Sequence, residues 1–235
     1  VTREEGLYSV WISPVLENLS MKDVTPFHLE KLKKSMADNE QSPRSIEYAL
    51  SVVRQIFNTA KRLGVYAGEN PTAKVKFPKP DNGRMRFLTH EEADTLLEAL
   101  QAKSADVHDM ALLSLYGGLR FGEVAALTWQ DVDLKRGVLT IRDAKAGSRY
   151  AFLTEQSAAM LKRRAEAQDM TAEKNLTKRK PSDRVFSGRK GVLDRISITF
   201  KRTVDELKLN DGIDDPRLKI CFHSCRHSYA SWLIE

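Results

Sequence analysis

The chain has 235 residues, enough for one large domain or two smaller ones, and its 41% hydrophobic and 30% charged residues are typical of a globular protein. No apolar run approaches the roughly 18 residues of a membrane-spanning helix, and two cysteines exclude a disulfide framework. The net charge of +6 favours a polyanionic partner without identifying one. We therefore expect a cytoplasmic protein without a membrane partner.

Residues 1–79 predict a helical domain. Thr25 before Pro26 and Ser42 before Pro43 both have the pattern of a helix start, a capping side chain followed by a proline. After Pro43 an apolar stripe at helical spacing runs to a stop at Gly64, and its residues are Ile46, Ala49, Leu50, Val53, Phe57 and Ala60.

The opposite face of this predicted helix is basic. Its cations are Arg44, Arg54, Lys61 and Arg62. Such a row either keeps the surface soluble or contacts DNA phosphates, and the pattern alone leaves both open.

Helical periodicity stops in ENPTAKVKFPKPDNGRMR, which is rich in proline and in cations. This composition indicates a basic linker, which we place at residues 80–86. A capping box, Thr89 to Glu92, then opens a new helix, so a second domain is expected over residues 87–235. Two domains joined by a positively charged strap could close around a rod-shaped ligand.

The second domain begins with an apolar helix, breaks at Gly117 and Gly118, and continues in a helix from about Arg120. The stretch DVDLKRGVLTIRDAKAGSRYAFLT predicts three short strands with turns at Gly137 and at AKAGS. Most of the remainder has a helical pattern. The sequence therefore predicts a mostly α protein with a small antiparallel sheet.

The segment from Lys174 to Lys190 is strongly basic and contains the consecutive cations Lys178, Arg179 and Lys180. It is either a solvated, flexible loop or a contact to the phosphate backbone.

Cysteines and histidines alternate in CFHSCRHSYASWL. On a helix, the Cys221 and Cys225 pair and the His223 and His227 pair lie on different faces, so one tetrahedral zinc ion cannot bind both, and we expect no metal. The cysteines are better explained as small buried hydrophobes. His223 and Arg226, three residues apart, share a face that suits a phosphate or a carboxylate.

Two further segments carry candidate groups. Arg120 precedes Glu123 by three residues and could either join an anion site at the helix start or simply pair with Glu123. Lys145 lies at a predicted hairpin tip, where it is either an exposed charge or an acid that protonates a leaving oxygen.

The segments GGLRFGEVAALTW, DAKAGSRYAFLT and CFHSCRHSYASWL resemble successive motifs of the tyrosine recombinases, the phage-integrase class of DNA strand-exchange enzymes. SPRSIEYALSVVRQIFNTAKRLGVYAGENPTAKV is similar to the helical core-binding domain that precedes their mixed α/β catalytic domain. The resemblance implies that Arg120 and Arg226 grip the scissile phosphate and that His223 assists there. It also implies that Lys145 protonates the departing 5′-hydroxyl and that Glu123 orients the neighbouring cations.

The nucleophilic tyrosine of that family follows well downstream of its HxxR motif, whereas this chain ends at Glu235 inside a predicted helix. We expect Tyr229, Trp232, Tyr116 and Tyr150 to be packing residues, and we expect the chain to be a fragment without the nucleophile. Because the chain begins with Val, an arm-binding domain is also expected ahead of it.

The function that the resemblance implies is site-specific recombination of a phage or mobile element through a 3′-phosphotyrosine intermediate. Double-stranded DNA is then the partner, the parent acts as a homotetramer, and no nucleotide or metal cofactor is required. Two alternatives remain open: a non-catalytic DNA-binding protein with the recombinase scaffold, and a type IB topoisomerase-like enzyme.

Overall fold

The computed structural model describes the chain as two compact units, Val1–Asp81 and Asn82–Glu235. Both are mainly helical, and the second also contains a small antiparallel sheet, which confirms the predicted fold class. The described residues are 2–79, 81, 83–142, 147–188, 193 and 195–234. No helix within these ranges has both the length and the apolar character needed to cross a membrane.

The first unit is a small helical assembly. Its described elements are α1 (Arg3–Leu7), a π-helical turn (Tyr8–Ile12), α2 (Ser13–Leu16), α3 (Pro26–Asp38), α4 (Pro43–Arg62) and a 3-10 turn (Pro71–Lys74). Both predicted helix starts are present. The Ser42 hydroxyl accepts a hydrogen bond from the Ser45 amide at 3.2 Å, and Thr25 is the capping residue of α3.

The apolar stripe of α4 forms the centre of this unit. All six predicted stripe residues are buried, and five of them, all except Ala60, belong to one core cluster with the buried Leu29, Leu32 and Met36 of α3. Each large apolar side chain removed from water in this way stabilises the fold by about 1.5–3 kcal/mol. The same geometry leaves the basic face of α4 in solvent.

The chain after α4 is more ordered than its proline content predicts. Pro71–Lys74 is a 3-10 turn, and Thr72 and Val75 are buried. The Asn70 side chain organises it: Oδ1 accepts from the Thr72 amide at 3.1 Å, and Nδ2 donates to the Arg54 carbonyl at 3.0 Å. A proline at the first position of a helical turn gives up no hydrogen bond, so Pro71 starts this turn rather than breaking it.

The second unit is built around one apolar helix. Its helices are α5 (His90–Lys103), α6 (Ala105–Gly117), α7 (Phe121–Ala126), a 3-10 turn (Trp129–Asp131), α8 (Glu155–Lys174), α9 (Ile198–Glu206) and α10 (Phe222–Trp232). Helix α6 is buried along most of its length and packs against both α5 and α10. The predicted capping box is present, since the Thr89 hydroxyl accepts from the Glu92 amide at 3.1 Å.

The sheet has the order β1-β2-β3 and is antiparallel throughout: β1 (Val132–Asp133), β2 (Val138–Ile141) and β3 (Arg149–Phe152). Leu139, Ile141 and Ala151 face the core. Gly137, with φ of +65°, makes the first predicted turn. The second predicted turn, AKAGS, falls partly on residues 143–146, outside the described residues.

Residues 85–88, ahead of α5, are hydrogen-bonded to later parts of the second unit, whereas the sequence predicts a linker at residues 80–86. The Met85 amide donates to the Arg217 carbonyl at 3.1 Å, and the Leu88 amide donates to the Ser228 hydroxyl at 2.8 Å. Arg86 donates to the Leu209 carbonyl and pairs with Glu92. These contacts join single positions that are far apart in the sequence, apart from the pair Arg86 and Glu92, so they leave no periodic signal.

Candidate active site

The glycine pair sets the direction from which Arg120 enters the site. Gly118 ends α6 in the left-handed conformation with φ of +62°, and a Cβ there would lie 2.5 Å from the ring of Tyr229. Leu119, which follows Gly118, is held by the Ser114 hydroxyl, which donates a hydrogen bond to the Leu119 carbonyl at 2.8 Å. Arg120 follows as the capping residue of α7.

Glu123 is the centre of the site. Its side chain is only 9% exposed, and its Oε2 accepts hydrogen bonds from the Arg120 amide at 2.8 Å and from Arg149 Nη2 at 2.7 Å. Arg120 Nη1 donates to Oε1 at 2.9 Å, and Arg226 Nη1 lies 3.9 Å from Oε2. We call Arg120, Arg149 and Arg226 the arginine cluster.

The arginine cluster unites three separate elements: the start of α7, the first residue of β3, and α10. Arg226 is also fixed by a hydrogen bond from Nη1 to the Gly118 carbonyl. Three guanidinium groups around one carboxylate leave a net charge of +2 (3 − 1). Because the planar guanidinium binds phosphate oxygens in pairs, this excess charge suits a phosphodiester.

Two histidines lie on α10 beside Arg226. The His223 and His227 rings meet edge to face, with centroids 4.6 Å apart. Partial burial is the largest cause that lowers the pKa of both histidines, and the positive charges of Arg226 and Arg84 lower it further. Both imidazoles are therefore neutral at pH 7, and each has one nitrogen that accepts and one that donates.

The two cysteines near the start of the same helix are both at least partly buried. Cys225 is fully buried in the core of the second unit, and burial strongly raises the pKa of its thiol. Cys221 is half-buried at the start of α10. Within the described residues, no group of three or more His, Cys, Asp or Glu side chains could hold a metal ion.

Lys145, the predicted proton donor, lies outside the described residues. The chain that flanks its predicted hairpin tip is described on both sides, up to Arg142 and from Gly147. Arg149, at the start of β3, is bonded to Glu123, which ties this strand to the arginine cluster.

The aromatic residues near the site have different surroundings. Tyr229 is half-buried and packs against Gly118, and Trp232 donates to the Leu88 carbonyl at 3.1 Å while stacking on His90. Tyr116 is partly buried against the core.

Tyr150 does not pack in the core as expected. It is 69% exposed, because alternate residues of β3 point away from the interior. Tyr150 instead lines a groove of about 520 Å³ beside the arginine cluster. The lining of this groove combines the cations Arg149 and Arg226 with the exposed apolar side chains Phe152 and Ile234. The groove thus has a charged part and an apolar part.

The predicted DNA-binding cations of α4 are all exposed. Arg54 and Arg62 line a shallow cleft of about 480 Å³ together with polar side chains, among them Gln55 and Asn58. Arg44 differs from these two because it pairs with Glu47.

The basic segment after α8 is partly folded rather than uniformly flexible. Val185 and Phe186 are buried, and Arg179 lies over the ring of Trp129 and forms paired hydrogen bonds with Asp169. Lys178 and Lys180 are exposed. Of these three consecutive cations, Arg179 is therefore the one that is paired with a carboxylate of the protein, that of Asp169.

Sequence reasoning missed two arginines. Arg149 is hydrogen-bonded to the same carboxylate as Arg120, and Arg84 carries charge that acts on both histidines. Neither residue stands in a distinctive local pattern, because both reach the site through tertiary packing.

Comparisons with known proteins point to one family. A sequence model of the phage integrase family matches residues 86–235. A tyrosine recombinase XerC of Xanthomonas campestris pv. campestris is 26% identical over 220 residues, which cover 91% of this chain and 64% of that protein. The integrase of Salmonella phage P22 is 30% identical over 190 residues, covering 79% of this chain and 46% of the phage protein. The chain thus spans less than two thirds of these relatives.

The fold is also similar to a solved structure. The Tn1549 transposon integrase in complex with transposon right end DNA superimposes with a TM-score of 0.71 at 17% identity. The match covers 98% of this chain and 79% of that one.

Proposed function

The chain belongs to the phage integrase family of tyrosine recombinases, and we propose that it carries the DNA-binding and phosphate-activating residues of a site-specific recombinase. The observation that carries this proposal is the convergence of Arg120 and Arg226 on the carboxylate of Glu123. Residues far apart in sequence thereby present guanidinium groups to one place.

The arginine cluster binds the scissile phosphate in this proposal. Each guanidinium has five N–H donors, and Glu123 occupies only some of them, so others remain for the nonbridging phosphate oxygens. Charge grows on these oxygens in the pentavalent transition state. Fixed donors aimed at such charge typically contribute about 10²- to 10³-fold each to the rate.

His223 supplies the proton acceptor or a further hydrogen bond to the phosphate. Partial burial, and then the surrounding positive charges, lower the pKa of this imidazole and so favour its neutral form. A neutral imidazole can take the phenolic proton as the tyrosine oxygen bonds to phosphorus.

Lys145 is the proton donor in the proposal. As the new oxygen–phosphorus bond forms, the bond from phosphorus to the 5′-oxygen breaks, and the lysine ammonium gives that oxygen its proton. The product is a 3′-phosphotyrosine link and a free 5′-hydroxyl. A 5′-hydroxyl from another duplex reverses these steps to rejoin the strands, so no nucleotide is consumed.

The nucleophile, we propose, lies on a segment that follows Glu235 in a longer protein. The alternative within this chain is Tyr229, which lines the same groove as Arg226. Its ring, however, is packed against Gly118, which supports a structural role. Glu123 then orients the arginine cluster rather than reacting itself.

Double-stranded DNA is the proposed partner. The exposed cations of α4 and the pair Lys178 and Lys180 would contact its phosphates, whereas Arg179 is bonded to Asp169. Recombining two duplexes requires four strand cuts, and one protomer offers one arginine cluster, which supports a homotetramer on paired sites. Cellular DNA as the substrate agrees with a cytoplasmic protein.

The experiment compares this chain with a version extended through the first tyrosine encoded after Glu235. Each protein is incubated with nicked DNA duplexes that carry the ends of the phage or mobile element that encodes the longer protein. Protein–DNA adducts are then separated on a denaturing gel. We expect adducts only from the extended protein. Replacing Arg120 or Arg226 with Ala should abolish them, while Arg136→Ala, in the exposed turn between β1 and β2, should not.

Three outcomes contradict parts of the proposal. An adduct formed by the present chain and abolished in Tyr229→Phe would move the nucleophile to Tyr229. Binding without any adduct from the extended protein would favour a non-catalytic DNA-binding protein. Relaxation of a supercoiled plasmid without recombinant product would favour a topoisomerase-like activity.

A further inference from the structure

Arg84 connects the segment ahead of α5 to the turn from which α10 begins. Its Nη1 donates to the Lys219 carbonyl at 3.2 Å and also to the Pro216 carbonyl. The two carbonyls lie on either side of one short turn, and α10 starts three residues after Lys219. A single guanidinium nitrogen therefore bridges this turn.

The turn is held from a second side as well. The Asn210 side chain accepts from the Ile220 amide at 2.7 Å and donates to the Ile220 carbonyl at 3.0 Å. The Met85 amide adds a bond to the Arg217 carbonyl. The backbone just before α10 is thus clamped between Asn210 and the pair Arg84 and Met85, and this clamp fixes where the helix begins.

The charge of Arg84 also acts on the histidines of α10. The groups whose charges act on His223 are His227, Arg226, Arg120 and Arg84, and those that act on His227 are Arg226 and Arg84. Arg226 shares its charge with Glu123 through the arginine cluster. Arg84 Nη1 instead donates to neutral carbonyl oxygens, which offset its charge less than a carboxylate would.

We propose that Arg84 is a positioning residue of the candidate site, which fixes the turn ahead of α10 and holds a positive charge against His223 and His227. The inference deepens the proposed function and rests on it. Through the turn, Arg84 sets the position of the helix that carries His223 and Arg226. Through its charge, it adds to the burial and to the charge of Arg226 that lower the pKa of both imidazoles.

The first test is an NMR titration of the histidine ring protons in this chain. Arg84→Gln should raise the pKa of His223 and His227, because the variant removes a cation. Arg84→Lys should leave both pKa values close to the wild-type values. The matched control is Arg86→Gln on the same segment: Arg86 donates to Leu209 and pairs with Glu92, and its charge is not among those acting on the histidines.

The second test is amide hydrogen exchange in the same variants. Arg84→Gln should make exchange faster at the Ile220 and Met85 amides, while α6 retains its protection. Circular dichroism confirms that each variant is folded. If Arg84→Gln is unfolded, Arg84→Met, which removes the same charge and keeps the aliphatic stem, takes its place in both tests. Unchanged histidine titration would overturn the electrostatic part, and unchanged exchange would overturn the positioning part.

The adduct assay in the extended protein links Arg84 to the reaction. In Arg84→Gln, the rise of the cleavage rate at low pH should move to higher pH. The reason is that a His223 with a raised pKa loses its proton, and becomes a proton acceptor, only at higher pH. An unmoved pH profile would contradict a role in the reaction. The titration and the exchange need no DNA, so they test Arg84 even if the proposed recombinase activity fails.

Discussion

Arg226 on α10 approaches the same carboxylate that Arg120 binds at the start of α7: both guanidinium groups lie against Glu123, at 3.9 and 2.9 Å. Arg149 completes the set from β3. Like charges gathered without an anion repel one another, so the nearly buried Glu123 makes the cluster possible when no phosphate is bound.

Glu123→Gln should therefore destabilise the second unit. The change removes the carboxylate charge that offsets three cations, and we expect a decrease of about 1–3 kcal/mol in the free energy of unfolding. Urea denaturation measures it. Inorganic phosphate should stabilise the variant more than the wild type, since the anion replaces the missing charge. Glu98→Gln, at an exposed position of α5, is the control; equal decreases in both variants would contradict the role of Glu123.

The basic face of α4 should determine part of the salt dependence of DNA binding. Arg54→Ala with Arg62→Ala should reduce the slope of log K against log salt by about two, one for each cation that no longer neutralises a phosphate. Fluorescence anisotropy with a labelled duplex measures the slope. Lys34→Ala, which removes an exposed cation of α3, is the control. An unchanged slope in the double variant would show that this face only keeps the surface soluble.

Arg179 should behave as a structural residue. Arg179→Ala removes the paired bonds to Asp169 and the packing on the Trp129 ring, and we expect a decrease of about 1–2 kcal/mol in stability. Lys178→Ala should change stability by less than about 0.5 kcal/mol. The measurement is thermal unfolding of both variants beside the wild type. If the Arg179→Ala variant were as stable as the wild type and its DNA binding depended less on salt, Arg179 would instead be a DNA contact.

The sequence predicted the features that depend on local spacing. The stripe of α4, the capping box at Thr89 and the antiparallel sheet each follow from neighbours a few residues apart. It also predicted that Arg120 shares a helix start with Glu123. What it could not predict depends on packing between distant segments: Arg149 at Glu123, Arg84 at the turn before α10, and Arg179 on Trp129.

The histidines of α10 should make stability depend on pH. The folded state lowers the pKa of His223 and His227, chiefly through partial burial, so the unfolded chain binds protons more readily. Stability is unaffected by these groups well above about pH 6.5 and falls as the pH drops below it. Urea denaturation at about pH 7.5 and about pH 5.5, one unit on either side of the ordinary histidine pKa, measures the trend. The double variant His223→Asn with His227→Asn should be destabilised less by acid; an equal decrease would assign the effect to other groups.

Gly118→Ala should be strongly destabilising, because two independent costs meet at this residue. For a residue with a Cβ, the left-handed conformation that Gly118 adopts with φ of +62° costs about 1–2 kcal/mol. The new Cβ would also lie 2.5 Å from the Tyr229 ring, and such overpacking typically costs about 1–3 kcal/mol.

The control for Gly118→Ala lies four residues away. A Cβ at Gly122, inside α7, meets nothing within 4 Å, so Gly122→Ala should be neutral or stabilise by up to about 1 kcal/mol. Tyr229→Ala combined with Gly118→Ala should relieve the steric overlap but not the backbone cost. Urea denaturation of the three variants separates the two contributions. If Gly118→Ala were as stable as Gly122→Ala, the glycine pair would not be what directs Arg120 toward Glu123.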